Sequence, residues 1–195
     1  MNIGLLTYRQ MQRAEAVLFD WGDTLMAWRW DEALLSAGHR AGLAALGLDE
    51  QPDAEALTAH FRERYLPALL AQSLEEIEYP GLVREVLADF RVAVNDEQLD
   101  AFLLAEHLAW APARVVGAAT HALLDALRAC GLRLGLVSNA IDPGWLLRRD
   151  IEEQGLAERL DVAVFSSEVG LRKPHPVIFQ TALDALGVQA ERCVF

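Results

Sequence analysis

Short apolar runs, each followed at once by small or polar residues, constrain the fold of this chain more than any other feature. They are Ala16–Phe19, Leu132–Val137 and Val162–Phe165, and a fourth, Cys193–Phe195, stands at the end of the sequence. Runs rich in Val, Leu and Phe predict strands of a parallel sheet, because such strands are buried on both faces. The polar residues after each run predict functional loops at the carboxyl edge of that sheet.

Helical periodicity fills the intervals around these runs. The segment His121–Ala129 is followed by Gly131, and Pro176–Leu186 is followed by Gly187, so each has a suitable C-terminal glycine before the next strand. Helices that alternate with strands through short links predict an α/β fold with a doubly wound, Rossmann-like parallel sheet.

The region from residue 27 to residue 112 has a different pattern. Four segments with helical spacing follow one another there: Asp31–Leu46, Asp53–Leu70, Gly81–Phe90 and Asp96–Trp110. Because no apolar run typical of a strand separates them, we interpret 27–112 as an all-helical cap inserted after the first strand. The α/β core then comprises 1–26 and 113–195, with linkers at Met26–Trp30 and Ala111–Val115.

Charge and composition exclude several classes of function. The chain has 17 Lys and Arg against 29 Asp and Glu, a net charge of −12, so its surface repels phosphate backbones and we expect no nucleic-acid partner. An anionic substrate must therefore be attracted by a few local cations or a metal. No apolar stretch is long enough to span a membrane, and Met1–Gln12 lacks the pattern of a signal peptide, so a cytoplasmic location is expected. The oligomeric state is left open.

Three of the predicted loops carry side chains that could do chemistry. Asp20 follows the first strand, where a carboxylate can act as a nucleophile or simply cap a helix or form a turn. Ser138 and Asn139 follow the second strand and can donate hydrogen bonds to an anion, or again cap a helix. Lys173 precedes Pro174, which favours an extended backbone and presents a point charge suited to a phosphate, although an isolated lysine is usually solvated.

Taken together, these loops and the helical insert resemble the haloacid dehalogenase-like (HAD) hydrolase superfamily, in the branch that has a helical cap after its first motif and is similar to phosphoglycolate phosphatases. The resemblance covers residues 17–195 and rests above all on the segments LVSNA (136–140) and GLRKPHPVIF (170–179). It implies a phosphatase that acts on a small phosphorylated metabolite through an aspartyl-phosphate intermediate.

The same resemblance assigns roles to individual residues. Asp20 would be the nucleophile, and Lys173 would offset the negative charge between the carboxylate and the phosphate. The phosphate-binding side chains would be those of Thr24, Ser138 and Asn139. Magnesium is the implied cofactor, with Asp20 and the main-chain carbonyl of Gly22 as its ligands. We expect Asp20, Thr24, Ser138 and Lys173 to converge on one pocket between core and cap.

Two departures from the family pattern leave alternatives open. Gly22 stands where the phosphatases carry a second aspartate as general acid and base, and Asp23, one residue later, is expected to point elsewhere. The sequence also stops after Cys193–Phe195, before the acidic loop that supplies further magnesium ligands, which predicts either a truncated chain or an incomplete metal site. The alternatives are a metal-independent 2-haloacid dehalogenase and a non-catalytic binding protein.

The segment Trp28-Arg29-Trp30, at the entry to the helical region, has two interpretations. It could form a wall of the substrate pocket and supply a guanidinium to an anion. It could instead be a hydrophobic hinge that packs the cap onto the core, and this is the interpretation we favour.

Overall fold

The computed structural model describes residues 14–71 and 73–195, and the prediction made for Met1–Gln12 lies outside these residues. In chain order the elements are β1 (Ala16–Phe19), β2 (Ala27–Trp28), α1 (Glu32–Ala45), α2 (Ala54–Leu70), α3 (Tyr79–Asp89), α4 (Asp96–Ala109), β3 (Arg114–Val115), α5 (Ala118–Ala129), β4 (Arg133–Ser138), α6 (Gly144–Glu153), β5 (Val162–Phe165), α7 (Ser166–Val169), α8 (Pro176–Leu186) and β6 (Cys193–Val194). Among these helices, none combines the length and the apolar character needed to cross a bilayer.

Four parallel strands form the main sheet, in the order β5–β4–β1–β6. The chain moves outward from β1 to β4 and β5 and then returns to place β6 on the other side of β1. The strand order therefore reverses at β1, and such a switch point is where open α/β sheets bind ligands. The predicted α/β fold with a parallel sheet is confirmed, and the predicted limits of β1 and β5 agree with the structure.

The sheet is covered on both faces because its side chains alternate. Leu134 and Leu136 of β4 pack with α5 and α6, whereas Val137 packs with α8 on the opposite face. Gly135 lies between them, and a Cβ atom there would stand 2.5 Å from Leu18 Cδ2. Only glycine fits at this position without moving the packed layers apart.

Helices α1 to α4, residues 32–109, form what we call the helical block, which has its own apolar core. Its fully buried members include Leu43, Leu57, Tyr79, Leu87, Phe102 and Leu103. Glycines let α1 lie close to the C-terminal half of α4: a Cβ atom at Gly42 would stand 2.6 Å from the Phe102 ring. Leu146 of α6 also belongs to this cluster, so the block packs directly on a helix that covers the sheet.

The two predicted linkers pair with each other, which the sequence analysis did not foresee. Ala27 pairs with Val115 and Trp28 with Arg114, so β2 and β3 form a short antiparallel ribbon at the base of the block. The prediction of no strand within 27–112 was therefore wrong at its first two residues. Lying side by side lets the backbone N–H and C=O groups of the two linkers satisfy one another.

Candidate active site

Asp20 lies directly after β1, and its neighbours among the described residues contact only one of its two carboxylate oxygens. Its Oδ1 accepts a hydrogen bond from the Trp21 backbone N–H at 2.7 Å and lies 2.7 Å from Lys173 Nζ. No hydrogen bond from any residue that the structure describes reaches Oδ2, and the side chain is 41% exposed. One oxygen is thus fixed while the other can meet a ligand.

Lys173 is positioned by its neighbours and is not a mobile surface lysine. Its ammonium also donates to the Val137 carbonyl at 2.9 Å, at the end of β4. The side chain of Asn139 accepts from the Lys173 backbone N–H at 2.6 Å and donates to the Lys173 carbonyl at 3.3 Å. Both polar atoms of Asn139 therefore make hydrogen bonds to the lysine loop, and Asn139 also lines the cavity described next.

A cavity of about 650 Å³ opens beside this pair, between the carboxyl ends of the strands and the helical block. Trp21, Gly22 and Ser138 line it, and Ser138 is buried. Asp20 and Lys173 adjoin it through their chain neighbours Trp21 and Arg172, which are lining residues. The structure thus brings three of the four predicted side chains, those of Asp20, Ser138 and Lys173, to one region.

Thr24 is the exception. It lines a second, smaller cavity of about 250 Å³, together with Asp23, Gly117 and Thr120. The chain turns sharply after Asp20, because Asp23 has a left-handed backbone (φ 56°) and its carboxylate accepts a hydrogen bond from the Trp28 backbone N–H at 3.0 Å. This turn carries Thr24 away from the large cavity and directs the Asp23 carboxylate to the ribbon, away from Asp20.

A cluster of buried charges, which the sequence analysis missed, lines the large cavity where the helical block meets the core. We call His107, Arg114, Asp142 and Asp150 the junction cluster. Asp150 Oδ2 lies 3.1 Å from His107 Nε2 and 3.0 Å from Arg114 Nε, and His107 Nδ1 lies 3.3 Å from Asp142 Oδ1. Burial disfavours the charged imidazole, but hydrogen bonds to Asp142 and Asp150 outweigh it and raise the pKa of His107.

A second buried cluster lies inside the helical block, and we call His39, Thr58, Tyr79 and Glu106 the block cluster. The Tyr79 hydroxyl donates to Glu106 Oε2 at 2.7 Å, and His39 Nδ1 lies 2.8 Å from the Thr58 hydroxyl. Burial raises the pKa of Glu106 to about 8 and lowers the pKa of His39 to about 4. Their facing atoms, His39 Nε2 and Glu106 Oε1, are 3.3 Å apart, and both groups are uncharged at neutral pH.

Aromatic rings form much of the cavity wall. The lining includes seven of them: Trp21, Trp28, Trp30, Phe61, Tyr65, Tyr79 and Trp110. The rings of Trp28 and Trp30 are stacked, with centroids 5.5 Å apart and planes 8° from parallel, and Trp30 meets Trp110 edge-on. The segment Trp28-Arg29-Trp30 therefore lines the cavity as well as leading into the block.

The far side of the cavity is closed by contacts between the block and the lysine loop. The Glu76 N–H donates to the Gly170 carbonyl at 2.9 Å, and the Arg172 N–H donates to the Leu74 carbonyl at 2.7 Å. The Glu76 carboxylate accepts a hydrogen bond from the Ser166 hydroxyl. The loop that carries Lys173 is thus attached to both parts of the protein.

Comparison with known proteins gives consistent results. A family model described as haloacid dehalogenase-like hydrolase matches residues 14–195. A phosphoglycolate phosphatase of Rhodospirillum rubrum is 38% identical over 96 residues, which cover 47% of this chain and 39% of that protein. A phosphoglycolate phosphatase of Xanthomonas campestris is 26% identical over 152 residues, which cover 76% of this chain and 68% of that protein.

The fold also has solved counterparts. The crystal structure of a HAD phosphatase from Thermococcus onnurineus superimposes with a TM-score of 0.54 at 24% identity, covering 92% of this chain and 74% of that one. At this identity the likeness concerns the fold. The match to the Rhodospirillum rubrum enzyme spans well under half of that relative's length.

Proposed function

Because the chain belongs to the haloacid dehalogenase-like hydrolases, we propose that it hydrolyses phosphate monoesters of small molecules, with Asp20 as nucleophile. The observation that carries this proposal is the asymmetry of the Asp20 carboxylate. Lys173 Nζ and the Trp21 N–H hold Oδ1, while no described residue hydrogen-bonds to Oδ2. The phosphatase names of two relatives support the same class of substrate.

The reaction proceeds in two displacements. Oδ2 of Asp20 attacks phosphorus, the bond between phosphorus and the alcohol oxygen breaks, and the departing alkoxide takes a proton from water. A water molecule then attacks the phosphorus of the aspartyl phosphate, the bond to Oδ2 breaks, and inorganic phosphate leaves with the carboxylate restored. The Lys173 ammonium offsets the charge that gathers around the carboxylate and the phosphoryl group, and the Ser138 hydroxyl donates to a phosphoryl oxygen.

Neither residue 22 nor residue 23 places a side chain where it could protonate the leaving group. Gly22 has no side chain, and the Asp23 carboxylate is bound to the Trp28 N–H on the other side of the turn. A positioned general acid contributes roughly 10²–10⁴ in rate, so its loss favours esters of acidic alcohols that leave without help. We expect p-nitrophenyl phosphate to be hydrolysed faster than simple alkyl phosphates.

Magnesium is the cofactor that the family resemblance implies, with the Asp20 carboxylate and the Gly22 carbonyl as ligands. Among the residues that the structure describes, no group of three or more His, Cys, Asp or Glu side chains is arranged to hold a metal. Two oxygens fall short of the six that magnesium requires, and Oδ1 of Asp20 already faces an ammonium. The described residues therefore do not make a complete magnesium site, and the steps above are those of the side chains alone.

The helical block, in this proposal, is a cap over the strand ends. The predicted division into a core of 1–26 and 113–195 and a cap of 27–112 is supported by the ribbon of β2 and β3, where the chain enters and leaves the block. Residues 27–112 supply six of the seven aromatic side chains that line the cavity, and this wall excludes water from the phosphoryl group.

The second candidate is a 2-haloacid dehalogenase, which Gly22 favours. In that reaction Oδ2 attacks the carbon that bears the halogen, the carbon–halogen bond breaks, and the halide leaves without a proton. Water then hydrolyses the ester and restores Asp20. Since a halide needs no general acid, the lack of a side chain at residue 22 costs this reaction nothing.

One set of assays separates these functions. Hydrolysis of p-nitrophenyl phosphate is followed with and without added magnesium, and halide release from 2-chloropropionate is followed with a chelator. Asp20→Asn is expected to lower the phosphatase activity at least about a thousandfold while phosphate binding is retained, because the amide is nearly isosteric but a poor nucleophile. The matched control is Asp23→Asn, whose amide suits the left-handed turn and still accepts from the Trp28 N–H, so activity should stay within about twofold. Equal activity in wild type and Asp20→Asn would refute the mechanism.

A further inference from the structure

The charges around the large cavity are already paired with one another. Arg62 lies 3.1 Å from Glu32, and Arg172 lies 3.7 Å from Glu76. In the junction cluster, Arg114 and His107 both face the carboxylate of Asp150. Each arginine among the described lining residues thus already faces a carboxylate, and the cavity wall offers no surplus positive charge to a second anionic group of a substrate.

The size of the cavity also argues against a very small leaving group. Its volume of about 650 Å³ falls within the range of sites for drug-sized ligands, which are lined mainly by apolar and aromatic side chains. A two-carbon acid would leave most of that space to water and would place its carboxylate against a wall with no unpaired cation.

The stacked pair Trp28 and Trp30 is the part of the wall best suited to a ligand. Both residues are more than a third exposed although they line a cavity, and Trp30 also makes a T-shaped contact with the Trp110 ring, with centroids 5.5 Å apart. Flat apolar surface that is held rigidly and left open to a cavity is typical of a stacking platform. Trp28 lies on β2, whose backbone is fixed by the ribbon, so the platform is preorganised.

We infer that the substrate's alcohol moiety is a planar aromatic or similarly large, uncharged apolar group, and that it stacks on the face of Trp28 that Trp30 leaves open while its phosphoryl group meets Asp20. This inference rests on the proposed phosphatase function and deepens it by naming the class of substrate. It differs from what the names of the phosphoglycolate phosphatases say of those relatives.

The test compares two alkyl phosphates whose leaving groups both depart as primary alkoxides: 2-naphthylmethyl phosphate and 2-phosphoglycolate. We expect kcat/KM to be at least about tenfold higher for the naphthyl ester. Trp28→Ala should lower that value about tenfold and leave the value for 2-phosphoglycolate within about twofold, as for the loss of one stacking contact. Trp28→Phe should restore most of the loss. Trp145→Ala is the matched control, because Trp145 is equally exposed but lies on α6 outside the cavity lining, and it should change neither value.

Binding is measured separately so that the inference can fail independently of the proposed function. Calorimetry gives the Kd of naphthylmethylphosphonate and of methylphosphonate, neither of which is hydrolysed. Tighter binding of the naphthyl compound, weakened by Trp28→Ala, supports the inference even if no ester is turned over, a result that would remove the proposed function alone. Equal Kd values, or no effect of Trp28→Ala on either substrate, overturn the inference while leaving phosphatase activity intact.

Discussion

The block cluster and the junction cluster each bury a histidine, yet the pKa values of the two histidines shift in opposite directions. His39 and His107 both have only 1% of their side chains exposed. His39 faces the Thr58 hydroxyl, which donates its own proton to the Ala54 carbonyl, and its pKa falls to about 4. His107 faces Asp142 and Asp150, and its pKa rises above the ordinary value.

The difference shows that the partners of a buried group, more than its depth, decide its charge. Glu106 and His107 are consecutive on α4, and their side chains serve different clusters. Burial raises the pKa of Glu106 to about 8, because the groups that face it, Tyr79 and His39, bring no positive charge. Asp150, by contrast, lies between Arg114 and His107. The interior of the helical block is therefore neutral, whereas its junction with the core is held by ion pairs.

The largest expected effect is a difference in unfolding free energy between variants of Asp150 and of Glu106. Asp150→Asn leaves the guanidinium of Arg114 buried without its carboxylate and takes the same carboxylate from His107, and should lower the free energy of unfolding by about 3–5 kcal/mol at neutral pH. Glu106→Gln is the matched control: it replaces a group that is already uncharged, so we expect a loss under about 1 kcal/mol. Urea denaturation of both variants gives the values. Equal losses would contradict the difference in charge between the clusters.

A smaller effect appears in the pH dependence of two further variants. The raised pKa of His107 adds stability that is fully present below its unfolded value of about 6.5 and is lost as the pH rises through the folded value. The lowered pKa of His39 acts in the opposite sense, since the unfolded chain takes up the proton first as the pH falls from about 6.5 towards about 4. The cost of His107→Gln should therefore shrink as the pH rises, while the cost of His39→Gln should shrink as the pH falls.

Unfolding free energies at about pH 5, 7 and 9 measure both trends, and for His39→Gln a change of about 1–2 kcal/mol is expected between pH 7 and 5. Parallel trends in the two variants would mean that the two histidines carry the same charge. Denaturation of wild type at each pH supplies the reference for both.

The sequence predicts the end of β1 far better than it predicts the junction cluster. The end of β1 is predictable because a short apolar run and the carboxylate that follows it, Asp20, are contiguous in the chain. The position of Lys173 followed from the family resemblance. The junction cluster draws its members from α4, β3, the loop after β4 and α6, and α6 itself was not predicted. For α6, the sequence pattern that could have been used is the helical spacing of Leu146, Leu147 and Ile151. This spacing puts Asp150 beside the buried face of the helix.

Thr24 shows a different limit of sequence interpretation. Its spacing from Asp20 matches the family, but the direction of the turn depends on the left-handed backbone of Asp23 and on a hydrogen bond to Trp28, in the ribbon. A ribbon formed between residues so distant in sequence leaves no local pattern. The interpretation of Trp28-Arg29-Trp30 as a hinge was incomplete for the same reason, because the cavity it lines exists only once α2 and α4 are in place.

The smallest expected effect concerns the hydrogen bond between Tyr79 and Glu106 in the block cluster. Tyr79→Phe removes the hydroxyl that donates to Glu106 Oε2 and should cost about 1 kcal/mol of unfolding free energy, the net contribution of one buried hydrogen bond. That bond also holds the pKa of Glu106 below the value that burial alone would give, so the variant should raise this pKa further. Carbon-13 NMR of the Glu106 carboxyl group across the alkaline range measures the change. Tyr65→Phe is the control, since Tyr65 also lines the cavity but no described residue hydrogen-bonds to its hydroxyl. If Tyr79→Phe left the Glu106 titration where it is in wild type, the tyrosine would have no part in setting the pKa of Glu106.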